Sequence, residues 1–209
     1  MISYLDRIQI PLLLLPFILT VNGAAQEKSN AEPQIGDAAP EWKALTGTDG
    51  KQHSLSDLSA ADVIVVCFTC NTCPYSVDYE DRLIALAEKY AASNASVKLV
   101  AINSNGVPVD SLENMKKRAT EKQFNFDYLK DETQDVAREY GAIYTPEFYV
   151  LNRDRKIVYR GAMDDNTKAE AVKVKYVEFA VEAALSGRNP EVTTTGARGC
   201  AIRFKRKRR

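Results

Sequence analysis

VIVVCFTCNTCPY, from Val63 to Tyr75, decides how the chain reads. Its first six residues, Val63 to Phe68, form an apolar run rich in β-branched side chains, the composition of a strand buried on both faces. Cys70 and Cys73 follow, separated by Asn71-Thr72. Pro74 comes next, and proline is favoured at the first position of a helix. Beyond it, Tyr79, Leu83, Leu86 and Tyr90 recur at the spacing of one helical face, which predicts a helix over 76–92. Two sulfurs at this spacing can close a disulfide, and a helix N-terminus stabilises a thiolate. Strand, dithiol and helix therefore meet at one junction suited to thiol chemistry.

Working outward, Val97 to Ile102 is a second buried-strand candidate. Ser111 to Gln123 reads as a mostly exposed helix, Phe126 to Leu129 as a short strand, and Glu132 to Tyr140 as a short helix stopped by Gly141. Glu147 to Leu151 and Lys156 to Tyr159 read as an antiparallel pair, and Lys168 to Leu185 as a closing helix. Upstream, Asp49-Gly50 between two short runs signals a β-hairpin. This order predicts an α/β domain: a central mixed sheet flanked by helices, with an extra N-terminal hairpin.

The 209 residues are 45% hydrophobic and 27% charged, which excludes a disordered or multi-span chain. Formal net charge is zero but unevenly spread. Residues 203–209 (RFKRKRR) hold six of the 28 basic residues, and residues 26–202 carry 21 basic against 27 acidic side chains, a net of −6. Nothing in that body suggests nucleic-acid binding. The tail reads as a mobile end with possible peripheral contact to an anionic surface, or as a solvated terminus. Residues 10–21 (IPLLLLPFILTV) are apolar but shorter than the roughly 20 residues a spanning helix needs. Gly23-Ala24-Ala25 supplies small residues for a signal peptidase, so 1–25 is expected to be a cleaved secretory signal, with a membrane anchor as the alternative. A linker over 26–34, a domain over 35–190 and an extension over 191–209 complete the expected organisation.

Several motifs, in order, resemble one family. GDAAPEW with DGKQHSLSDL, then CNTCPYSVDYEDRL, YGAIYTPEFYVL, YRGAMDDN and the terminal GCAIRF together resemble the thioredoxin-like superfamily. Within it they resemble the peroxiredoxin-like branch (alkyl hydroperoxide reductase/thiol-specific antioxidant, or redoxin), in a subgroup with C-x-x-C. The likeness runs over roughly residues 35 to 204. It implies a thioredoxin-like fold and a redox-active Cys70/Cys73 pair that needs no bound cofactor. It also implies a cis bond before Pro146, leaving the Thr145 backbone open to pair with an incoming substrate chain. By the same analogy Cys70 attacks and Cys73 resolves, although Pro74 makes Cys73 a candidate N-cap and an alternative first nucleophile. The chain departs from the pattern in two ways. No tryptophan precedes Cys70. Against peroxiredoxins, Cys73 matches the peroxidatic cysteine, but Cys70 and Val66 stand where those enzymes keep a threonine and a proline.

The expected activity is exported thiol–disulfide exchange, with protein or small-thiol partners. The alternatives are a thiol peroxidase acting on peroxides, and a non-catalytic binding or redox-sensing module. Cys67 reads as a buried apolar residue of the strand. Cys200 is a further redox candidate: a distal resolving cysteine, a partner for another protein, or a surface thiol. A zinc site would require Cys67 to leave the strand, and no metal is expected. His53, the sole histidine, reads as a surface residue. Asp78, Glu80 and Glu147 lie nearest the thiols as proton acceptors, but are expected to face solvent. Asp164-Asp165-Asn166 reads as a cap for the closing helix.

Overall fold

A computed structural model of the chain describes residues 32–93 and 96–206. The expected signal segment and most of the linker lie outside the described residues. Among those described, no helix is long and apolar enough to cross a membrane.

The run that opened the sequence reading is the centre of the sheet. β3 (Val63–Phe68) is wholly buried, and its alternation divides the core in two. Ile64, Val66 and Phe68 pack into one apolar cluster, while Val63, Val65 and Cys67 pack into the other. β4 (Val97–Asn103) lies parallel to β3, and β5 (Asp127–Lys130) lies parallel to β4. On the other side β7 (Glu147–Leu151) runs antiparallel to β3, followed by β8 (Ile157–Gly161). The hairpin of β1 (Leu45–Gly47) and β2 (Gln52–His53) adds to the β5 edge. The sheet order is β2-β1-β5-β4-β3-β7-β8. The fold is thus the mixed α/β sheet with an N-terminal hairpin that the sequence predicts.

α1 (Pro74–Ala92) buries Tyr79, Leu83, Leu86 and Tyr90, the four residues its periodicity marks. They share a cluster with Val177, Ala180 and Val181 of α4 (Tyr176–Leu185). α2 (Leu112–Lys122) buries only Met115 against Ala101 and Tyr128. The opposite face is covered by α3 (Asp135–Tyr140), which packs Val136, Ala137 and Tyr140 with Trp42.

Two expectations about the closing helix change. It begins at Tyr176, because the Asp165 carboxylate accepts the N–H groups of Lys173 and Val174 at 2.9 and 3.1 Å and holds them extended. Asp164 does not cap it. That buried carboxylate accepts the Tyr79 hydroxyl at 2.9 Å and Arg82 at 2.6 Å, tying α1 to the turn after β8.

Residues 191–206 return to the body of the domain. Thr195 N–H donates to the Arg160 carbonyl, and its side chain bridges Tyr159 and Ala162. Further on, β9 (Cys200–Ala201) pairs antiparallel with β6 (Tyr144–Thr145). Ile202 is 6% exposed and enters the core. Lys205 N–H donates to Gln134 and its ammonium pairs with Glu132 at 2.7 Å. The tail expected to be mobile is therefore held as far as Lys205.

Candidate active site

Where β3 ends, Thr69 N–H donates to the Ile102 carbonyl, and the chain then leaves the sheet. The next four residues form the turn into α1, and Asp110 holds that turn from behind. Asp110 is fully buried. Its carboxylate accepts the Asn71 N–H at 2.7 Å, the Thr72 hydroxyl at 3.2 Å, and the side-chain amides of Asn103 and Asn105 at 3.2 and 3.0 Å. Tyr128 completes the support by donating its hydroxyl to Asn71 Oδ1 at 2.9 Å. The pair between the cysteines is thus fixed through backbone and side chain together.

Cys73 is the N-cap of α1 and Pro74 its first residue. Cys73 therefore sits at the positive end of a 19-residue helix. That sulfur lies 3.0 Å from the Thr145 carbonyl oxygen and accepts the Cys200 N–H at 3.3 Å. Cys70 Sγ accepts the Cys73 N–H and sits 3.4 Å from Thr145 Oγ1. The Thr145–Pro146 bond is cis. Cys70 and Cys73 are both nearly enclosed, at 3% and 2% exposure.

Cys200 is the addition that sequence spacing does not reveal. Its Sγ lies 2.6 Å from Cys73 Sγ. Its strand also runs beside Thr145, with Thr145 opposite Cys200 in the ladder. The expectation that the Thr145 backbone stands open to a substrate chain is corrected here: the chain's own C-terminal strand lies alongside it.

The electrostatics separate the sulfurs. Burial opposes ionisation of Cys73. The Cys200 thiol, the N–H groups of Ser76 and Cys200 and the Thr145 side chain outweigh it and hold the thiol below its ordinary range. Cys200 moves the other way, to about 11, because its hydrogen bond to Cys73 and partial burial favour the neutral form. Burial pushes the Cys67 thiol far up, which leaves it an inert part of the core.

The carboxylates need correcting as well. Asp78 is exposed, but Glu80 and Glu147 are each only 4% exposed. Glu80 receives both arms of Arg118 at 2.7 Å, so the pair clasps α1 to α2. Glu147 accepts the N–H groups of Ile143 and Tyr144 and the Tyr149 hydroxyl, anchoring the loop that carries Thr145. Burial raises the Glu147 pKa against those bonds. His53 pairs with Asp49 at 3.0 Å in the hairpin, apart from the thiols. Asp110 was not singled out from sequence at all. A single acid in a Pro108-Val109-Asp110 turn has no spacing that announces it.

Against known proteins, a model of the AhpC/TSA family matches residues 35–160. An uncharacterized conserved protein from Geobacillus kaustophilus is 40% identical over 82% of this chain and 93% of its own, with a TM-score of 0.76. A hypothetical protein from Sinorhizobium meliloti is 30% identical over 84% of this chain and 97% of its own, also at 0.76. Peroxidoxin BcpB from Mycobacterium tuberculosis shares the fold at 19% identity, over 74% of this chain and 96% of its own, at 0.55. The curated proteins gave no match.

Proposed function

The chain belongs to the AhpC/TSA family, and we propose that it works as a thiol–disulfide oxidoreductase whose exchanging pair is Cys70 and Cys73. One observation carries the reading: Cys73 is the N-cap residue of a long helix beside Thr145 and Pro146, with Cys70 three residues before it and hydrogen-bonded to the same threonine. The Cys73 thiolate attacks one sulfur of a substrate disulfide, and the other substrate sulfur leaves as a thiolate and takes a proton. Cys70 loses its proton and attacks the Cys73 sulfur of the mixed disulfide, releasing the second substrate thiol. Two electrons pass to the substrate and a Cys70–Cys73 disulfide remains. The same steps reversed oxidise a substrate dithiol. This order puts Cys73 first, where the thioredoxin analogy favours Cys70, because the donors and the helix end converge on Cys73.

Protein substrates are supported by the surroundings. Tyr75, Val109, Ile143, Tyr144 and Phe204 are exposed, and all lie on the segments that carry or flank the site. Exposed apolar side chains gathered in this way favour a peptide surface. Export is part of the proposal through residues 1–25, and N-terminal sequencing of the mature protein tests it.

Turnover of hydrogen peroxide is the second reading. It is favoured by the near-complete enclosure of Cys73, which suits a small oxidant. The test measures reduction of insulin disulfides and turnover of hydrogen peroxide side by side, with Cys70→Ser and Cys73→Ser variants. Loss of insulin reduction in both variants supports exchange by the pair. Absence of both activities from the wild-type chain removes the enzyme readings and leaves a binding module.

A further inference from the structure

We propose that Cys200 is a third redox residue, forming a reversible intramolecular disulfide with Cys73 while its strand occupies the position of a substrate chain. The inference rests on the reading above that Cys73 is the reactive sulfur. It begins from two sulfurs 127 residues apart in sequence and 2.6 Å apart in space.

That proximity is built from both sides of Cys200. Upstream, Thr195 is fixed to Tyr159 and Ala162. At the site, Thr145 donates its hydroxyl to the Cys200 carbonyl at 3.3 Å, and Ile202 N–H donates to the Ile143 carbonyl at 2.9 Å. Downstream, Ile202 enters the core, Gly106 N–H donates to the Arg203 carbonyl, and Arg203 N–H donates to Asn105 Oδ1. Gly199 is what lets the strand come this close. A Cβ there would run into the carbonyl of Thr145, a backbone atom that cannot step aside.

The strand therefore presents a cysteine to Cys73 beside the residue before Pro146, much as an external substrate would. Once Cys73 holds a substrate as a mixed disulfide, Cys200 gives up its proton and attacks the Cys73 sulfur. The second substrate thiolate leaves and is protonated, and a Cys73–Cys200 disulfide remains. Two routes then open. Cys70 can attack Cys73, passing the disulfide to Cys70–Cys73 and restoring the Cys200 thiol. Alternatively an external thiol can attack Cys200, the most exposed of the three sulfurs. That expels the Cys73 thiolate, and a second external thiol then frees Cys200. Cys73 leaves at the N-terminal end of α1, where the helix dipole favours the departing thiolate.

The test uses the full chain, reduced and then exposed to oxidised glutathione, with free thiols alkylated and disulfides mapped on unreduced peptides. In Cys70→Ser, a Cys73–Cys200 peptide should be the main intramolecular product. Gly199→Val should lower that product about tenfold, the factor corresponding to ~1.4 kcal/mol of lost apposition. Recovery of Cys73 and Cys200 from Cys70→Ser as alkylated thiols or separate glutathione adducts would overturn the proposal. Cys200→Ser tests the underlying reading separately. A Cys70–Cys73 disulfide in that variant upholds the dithiol whatever Cys200 does, and its absence removes the dithiol reading while the Cys73–Cys200 product of Cys70→Ser still decides the proposal.

Discussion

Cys73 differs from the other cysteines in what its sulfur faces. Cys67 looks into apolar side chains, whereas Cys73 meets a helix end, the Cys200 N–H and thiol, and the Thr145 carbonyl oxygen, and its pKa is lowered. Its thiolate therefore persists to lower pH than that of a free cysteine, ordinarily near pKa ~8.5. Labelling of Cys73 with iodoacetamide should rise with pH through a midpoint below that value. Cys200→Ala should raise the midpoint, because it removes a thiol that stabilises the Cys73 thiolate from 2.6 Å away; mass-spectrometric labelling across pH reads both. Asp110 matters at this scale for another reason. Asp110→Ala leaves four donors around a fully buried site without their acceptor. The expected cost is about 3 kcal/mol or more, seen as a lower urea midpoint. Its signature at the site should be looser packing of Asn71 and Thr72 and a changed Cys73 labelling rate.

At the scale of elements, the site is where β3 hands over to α1, and both were readable for the same reason. β3 is buried on both faces and so must be apolar throughout, while α1 buries one stripe and so must repeat every three or four residues. What escaped sequence reading has no such period. Glu80 sits on α1 among residues that read as a solvated face, yet it is buried because Arg118, on a different helix, meets it with both arms. β9 spans only Cys200–Ala201, too short for any alternation. Its position is set by the Ile202 side chain, by the missing Cβ at Gly199 and by partners about 55 residues back along the chain. The Glu80–Arg118 clasp makes a prediction of its own. Arg118→Ala leaves a nearly buried carboxylate with only Lys122 at 3.5 Å. It should destabilise the fold by about 3 kcal/mol, whereas the double variant Glu80→Gln/Arg118→Met should recover part of the loss in a denaturant titration.

Across the whole molecule, the C-terminal segment turns a strand–dithiol–helix junction into a covered site. Residues 200–205 close over Cys73 with Ile202 in the core, the Arg203 backbone bonded through its carbonyl to Gly106 N–H and through its N–H to Asn105 Oδ1, a bond to Gln134 and an ion pair to Glu132. Arg138 also stacks 4.8 Å from the Phe204 ring. The ion pair is exposed and contributes little, so the apolar burial of Ile202 and the backbone bonds hold the segment down. Access to Cys73 then depends on local opening of this segment, a smaller event than global unfolding. Each ~1.4 kcal/mol holding the segment closed suppresses labelling of Cys73 about tenfold. Ile202→Ala removes about 2–3 kcal/mol of core packing at the point that anchors the strand. It should accelerate Cys73 labelling by one to two orders of magnitude, roughly, at a fixed pH, while Cys67 in the central strand stays protected. A chain ending at Ala197 should show the same Cys73 acceleration without the mutation. If both changes instead left Cys73 labelling unaltered, the covering strand would not control entry, and the buried sulfur would have to be reached along the Cys70 side of the turn.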